Sequence, residues 1–303
     1  MTSLKSLIAG AARKEDFTSL TRYIDFSLKF LEYIEAHRQA VIVARNDNRY
    51  AFYQFTKDAG YKVTRPFNSE LLYTISEAQD RYAEFRLALR ELSKFKGEAV
   101  IADRTVISRA VYTIQQCIGF ALDAGTARGV EPNTARKING DLFERLVYLL
   151  LKDIGLSCRS GVVKIPVKVD GHEEFEFSYQ HDLIIEQEGE LKVVGSVKTS
   201  SKDRLDKIFI DKFLYCKLTE TSVPHIAIFL NDVQRRKTKK EGEFGVGGTF
   251  LPGHFKGYTV RLNPLDGVYY LDLLPNMRSD SILREQIRQF HELVCSDIWR
   301  HLL

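Results

Sequence analysis

Tyr179-Gln-His-Asp-Leu-Ile-Ile-Glu186, followed by Leu191-Lys-Val-Val-Gly-Ser-Val-Lys-Thr-Ser-Ser-Lys-Asp-Arg204, decides the reading of this chain. Both halves are rich in Val, Leu and Ile, and Glu188-Gly-Glu190 between them is turn-like, so they predict two strands joined by a tight hairpin. Asp182 opens the first strand and Lys198 ends the second, 16 residues further on. A tight hairpin sets an acid at the start of one strand beside a lysine at the end of the other. Alternation assigns Val194, Ser196 and Lys198 to one face and Val193, Gly195 and Val197 to the other. A carboxylate next to a lysine at a sheet edge suits metal-dependent phosphodiester hydrolysis. The carboxylate holds Mg²⁺ through oxygen, the metal offsets developing negative charge, and the ammonium orients the attacking water.

Outward from this pair, Gly140 to Gly155 predicts an amphipathic helix, and strands are expected at 162–169, 174–177 and 225–230, with a helix over 203–218. Further strands are expected at 258–262 and 268–273, and a closing helix from Ser281. The first third reads as helical. Leu20, Ile24, Leu28, Leu31 and Ile34 recur at helical steps, Ser69 to Phe95 predicts a long helix, and Arg104 to Leu122 another. Residues 123–133 are polar and are taken as a boundary, giving a helical region 1–133 and a second unit 134–303. The pattern is α/β on a mixed sheet flanked by helices.

A chain of 303 residues, 44% hydrophobic and 28% charged, is long enough for one large core or two modest ones and excludes disorder and fibre. No apolar run approaches the roughly 20 residues that cross a bilayer, and the N-terminus is too weakly apolar for a secretion signal. The 4 cysteines are widely spaced, which points to a reducing cytoplasm and against structural zinc. The 7 histidines show no His-x-x-x-His spacing, and no Gly-x-x-x-x-Gly-Lys nucleotide loop is present. Net charge is only +4, so charge placement carries more information than the total. Between Asn231 and Arg261 stand 7 basic residues against 3 acids, among them Arg235, Arg236, Lys237, Lys239 and Lys240. With 6 glycines over residues 231–257, this stretch is expected to be a mobile basic loop suited to DNA phosphates.

Over residues 136–230 the sequence resembles the PD-(D/E)xK nuclease superfamily, most closely its type II restriction endonucleases. The resemblance rests on the helix carrying Gly140 and Glu144, on Asp182, and on Ser196-Val-Lys198 running into Thr-Ser-Ser-Lys-Asp-Arg204. It implies a restriction-endonuclease-like core and a Mg²⁺-dependent, site-specific deoxyribonuclease acting on double-stranded DNA. It also implies a homodimer or larger assembly and a partner methyltransferase in a restriction-modification system. Two positions depart from the pattern. His181 replaces the proline before the first acid, and Ser196 replaces the acid two residues before the lysine. Enzymes cutting around a CCGG core also carry Ser-x-Lys and take the missing acid from the following helix, two turns past the Asp of their Asp-Arg pair. Counted from Asp203, that position is Asp211. The resemblance therefore implies Asp182, Asp211 and Glu144 as metal ligands, Lys198 as the catalytic lysine, Ser196 beside the metal site, and Lys202, Asp203 and Arg204 as DNA contacts. Glu174, Glu176 and Asp206 are the other acids close by. Two alternatives stay open: a nuclease of the same fold acting on modified DNA or in repair, and a DNA-binding module whose catalytic site decayed at Ser196.

Overall fold

The first secondary structure is helical: α1 (Leu4–Ala12) and α2 (Leu20–His37). A three-stranded antiparallel sheet follows, β1 (Arg38–Val43), β2 (Tyr50–Phe55) and β3 (Phe67–Asn68), and then α3 (Ile75–Phe95) and α4 (Thr105–Thr126). The helix expected from Ser69 begins later, because Phe67 and Asn68 pair with Ala51 and Tyr50 and Thr74 forms a capping box with Glu77. Helix α5 (Pro132–Asp153) starts a full two turns before Gly140. This computed structural model describes residues 3–55, 63–169, 172–238 and 242–302.

The central sheet has six strands. β4 (Cys158–Val169), β5 (His172–Gln187) and β6 (Glu190–Lys198) form an antiparallel meander. Helix α6 (Leu205–Thr219) then leads to β7 (His225–Phe229), parallel to β6. After the hairpin β8 (Val233–Lys237) and β9 (Phe244–Gly248) comes α7 (Pro252–Arg261), and then β10 (Gly267–Tyr270), parallel to β7. Short helices α8 (Pro275–Ser279) and α9 (Ser281–Gln286) precede β11 (Ile287–Gln289), parallel to β10, and a helical segment over 290–302 closes the chain. The spatial order is β11-β10-β7-β6-β5-β4. The expected mixed sheet flanked by helices is present.

Several expectations are corrected. The helical first third also holds the sheet β1–β3, and the strands expected at 174–177 and from Tyr179 are one strand, β5, with Asp182 in its interior. Residues 258–262 form the end of helix α7 rather than a strand; α7 opens with Pro252 and buries Phe255 against Phe209 and Phe250. The closing helix is interrupted at Ile287, whose segment adds an edge strand to β10.

Alternate residues of the strands feed two cores. Leu183, Ile185, Val193, Val197, Ile226 and Ile228 join one apolar cluster with α1 to α5. Ala227, Phe229, Val268 and Tyr270 join a second with α6 and α7. In α5, Leu142, Phe143, Leu146, Val147, Leu150 and Leu151 are all fully buried, each contributing roughly 1.5–3 kcal/mol by leaving water. Tyr23 on α2 donates to the Leu142 carbonyl (2.8 Å), and the Gln115 amide on α4 donates to the Asn139 carbonyl (2.9 Å). These bonds fix the rotation of α5 and leave Glu144, about 100° round from Phe143, facing the ends of the central strands.

The glycine-rich stretch is not a mobile loop over its described residues. Strands β8 and β9 pair along their length, and Val246 packs with Ala44, Tyr50 and Phe52. Asn46 acts as a surrogate strand: its Nδ2 donates to the Val246 carbonyl (2.8 Å) and its Oδ1 accepts the Val246 N–H (2.9 Å). A Cβ on Gly245 would lie 3.1 Å from Asn46 Oδ1, so this glycine permits close approach. Asn46→Ala removes both partners of a strand edge and should cost about 1–3 kcal/mol, read from the urea unfolding midpoint. An unchanged midpoint would mean that the apolar cluster alone holds the hairpin.

Candidate active site

The two-residue turn between β5 and β6 has Glu188 (φ 54°) and Gly189 (φ 83°) both in the left-handed region, the turn that matches strand twist. The resulting register, Leu183 opposite Gly195, brings Asp182 alongside the last residues of β6. The Val197 N–H donates to Asp182 Oδ2 at 2.9 Å. Lys198 Nζ lies 2.7 Å from the same oxygen and 2.8 Å from Glu144 Oε1 on α5. Two carboxylates, from β5 and α5, therefore converge on the one ammonium that β6 supplies.

Electrostatics at this point are short of one positive charge. Burial and the negative charge of Asp182 raise the Glu144 carboxyl above its ordinary value, and Lys198 only partly opposes them. Burial pulls the Lys198 ammonium down, but Asp182 and Glu144 more than offset it, and its pKa ends above the usual lysine value. Lys198 is thus protonated at neutral pH and donates to both carboxylates. Lys14, Arg145, Lys152 and Arg159 line the cleft that contains Glu144 and Asp182. Arg145 and Lys152 share α5 with Glu144, while Lys14 and Arg159 come from the segment after α1 and from β4.

Ser196 and Asp211, both half-buried, line a small pocket between β6 and α6 together with His181 and His225. Asp211 is paired with Lys207 one turn earlier on α6. The Nε2 atoms of His181 and His225 make no hydrogen bond among the described residues. Burial depresses the pKa of both rings, that of His225 to about 4. Among the described residues no three His, Cys, Asp or Glu side chains stand together as a metal-holding group. The oxygen donors nearest to one are Asp182 and Glu144, whose excess negative charge suits a hard cation.

Lys202, Asp203 and Arg204 are exposed on a turn directly after Lys198, with Asp203 at φ 57° and the Arg204 N–H donating to the Ser201 carbonyl (3.0 Å). Arg235 and Arg236 lie on β8. Arg235 donates to the Val63 carbonyl (3.0 Å) and to that of Thr64, and its guanidinium covers the rings of Phe52 and Phe244, so much of its hydrogen-bonding capacity is used internally. Lys239 and Lys240, and the side chains of Lys237 and Glu174, fall outside the described residues. Glu176 is exposed and pairs with Lys164 (2.8 Å) on the β4–β5 arm. Asp206 begins α6.

The described chain superposes over 98% of its length on 96% of the type IIP restriction endonuclease Kpn2I, with a TM-score of 0.69 at 15% identity. The chain has the type II restriction-endonuclease fold. The restriction endonuclease PspGI, in a complex with substrate DNA, is a second similar structure, matched over 73% of this chain and 92% of that one with a TM-score of 0.41 at 13% identity. No protein-family model and no curated sequence matches the chain. No helix among the described residues is long and apolar enough to cross a membrane.

Removing the ammonium tests the electrostatic reading within this fold. Lys198→Met should destabilise the protein by about 1–3 kcal/mol at pH 7, below the cost of breaking a fully buried pair because all three groups are partly exposed. A carboxyl whose folded pKa lies above its unfolded value binds its proton more tightly when folded, so stability rises as pH falls through that range. The variant's Tm should therefore climb on acidification from pH 7 to 5 more than that of the wild type, as Glu144 is neutralised. A pH-independent difference between the two would show that Lys198 does not stabilise the charged forms of Glu144 and Asp182.

Proposed function

We propose that the chain is a type II restriction endonuclease that hydrolyses phosphodiester bonds of double-stranded DNA at a specific site with Mg²⁺. The observation that carries this reading is the convergence of Asp182 within β5, Lys198 at the end of β6 and Glu144 within α5. A bound divalent cation would supply Lewis-acid stabilisation of charge developing on the phosphate. Asp182 would hold it, with Asp211 and Glu144 as the further carboxylates. Supporting the assignment of Asp211 is its place in the cavity of Ser196, beside the position where the superfamily pattern has an acid. For Asp211 to serve, its pairing with Lys207 must break. Lys198 donates hydrogen bonds and positions water for in-line attack, leaving a 5′-phosphate and a 3′-hydroxyl. The turn with Lys202, Asp203 and Arg204 is offered to base edges, Arg suiting guanine and Asp the cytosine amino group, while Arg236 and the basic cleft residues suit phosphates.

A palindromic site needs two copies of the reader, so this function entails a homodimer or larger assembly. A restriction role entails a cognate methyltransferase that protects the host, and a cytoplasmic setting.

Unmethylated phage DNA incubated with Mg²⁺ should give discrete fragments with the wild type. Asp182→Ala, Lys198→Ala and Asp211→Ala should each lose about 10²-fold or more in rate. Should Asp211→Ala cut as well as the wild type, the displaced acid is Glu144 or Glu176 instead. No cleavage of any DNA by the wild type, with retained specific binding, would favour the DNA-binding module.

A further inference from the structure

Asp232, the third residue after β7, is fully buried and forms no ion pair among the described residues, yet its carboxylate gathers five hydrogen bonds. Oδ1 accepts from Ser200 Oγ (2.7 Å), the Ser201 N–H (2.8 Å) and Thr249 Oγ1 (3.0 Å), and Oδ2 accepts from Ser201 Oγ (2.6 Å) and the Tyr270 hydroxyl (2.6 Å). Its own carbonyl accepts the Thr249 N–H (2.8 Å). These donors belong to three separate segments: the turn after Lys198, the end of β9, and strand β10.

The restraint passes outward through Ser200 and Ser201. Ser200 Oγ, while donating to Asp232, accepts the Lys202 N–H (3.1 Å). Ser201, anchored by both its amide and its hydroxyl, offers its carbonyl to the Arg204 N–H (3.0 Å). The exposed tip at Lys202, Asp203 and Arg204 is therefore fixed by one buried carboxylate that also opens the strand bearing Arg235 and Arg236. A charged acceptor makes stronger bonds than a neutral one in a low-dielectric interior, and five donors satisfy it without a counter-ion.

We infer that Asp232 is a positioning residue for DNA recognition, setting the turn 199–204 in register with the β8–β9 hairpin. It touches no substrate and acts through Ser200, Ser201 and Thr249. The inference rests on the proposed function for its DNA part, while its geometric part stands alone.

Two readouts separate these parts. Asp232→Asn places an amide donor against hydroxyl and amide donors, so the amides of Ser201, Lys202 and Arg204 should exchange with deuterium at least about tenfold faster, while β6 and β7 keep wild-type rates. Ser200→Ala combined with Ser201→Ala removes both hydroxyl links, leaves the Tyr270 and Thr249 bonds, and should give the same local effect if the Asn variant does not fold. Tyr270→Phe removes one bond on the β10 side and should leave exchange in the turn unchanged. In cleavage of phage λ DNA with Mg²⁺, Asp232→Asn should raise KM about tenfold, add cuts at near-cognate sites, and leave kcat within about threefold. Wild-type exchange in the turn of the Asn or double-Ala variant overturns the inference. So does acceleration spread evenly over β6 and β7, or a fall in kcat alone, which mark a purely structural role. If the wild type cuts no DNA, the proposed function fails, and the exchange pattern still decides whether Asp232 sets the turn.

Discussion

The Lys198 ammonium between Asp182 and Glu144 is the constraint on which the arrangement of the other parts depends. Two carboxylates supplied by a strand and a helix share one cation placed between them by a third element, and Glu144 is still held above its ordinary pKa, first by burial and then by the charge of Asp182. The geometry needs α5 to be held at one rotation over the sheet. That is the work of its buried Leu, Phe and Val stripe and of the polar ties from Tyr23 and Gln115. Helices α2 and α4 thus set the position of Glu144 indirectly, through α5.

Buried polar groups provide the second level of order. Asn46 completes the edge of β9 with its side chain, and Asp232 joins the post-Lys198 turn to the hairpin and to β10. Asn68 on β3 donates to Asp272 (2.8 Å), whose carboxyl burial raises to about 6. Each of these contacts joins segments remote in sequence. Buried polar pairs of this kind demand one geometry, whereas apolar packing tolerates several. They lie around the face that carries the candidate DNA contacts, where relative position matters most.

Much of the half that carries the candidate site was legible in the sequence because its signals are local. The Glu188-Gly189 turn fixes the β5–β6 register, and an acid and a lysine bracketing two aliphatic strands have few other arrangements open to them. The periodicity of Leu142 to Leu151 gave the buried face of α5. What failed to show was non-local or ambiguous in composition. Glycines 245, 247 and 248 read as mobility because their neighbours across the chain, Asn46 above all, were unknown. Helix α7 was hidden by Gly253 and Gly257, and β11 by the helical pattern on either side of it. Asp232 looked like one acid in a basic stretch, and nothing in the chain announces that Ser200, Ser201, Thr249 and Tyr270 will meet on it. Asp211 was reached by counting along a family pattern, which placed it on α6 near Ser196 but could not foresee its partner Lys207.

The central claim is that the Asp182, Lys198 and Glu144 convergence is a cation-dependent hydrolytic site. Its most direct test is an anomalous difference map from crystals of the full chain soaked in Mn²⁺, a hard ion with the oxygen preference of Mg²⁺. The account predicts a peak at coordination distance from an Asp182 carboxylate oxygen, with the Lys198 ammonium still in contact with Glu144. Peaks confined to other surfaces at saturating Mn²⁺, with Asp182 bound only to Lys198 and Val197, would contradict it.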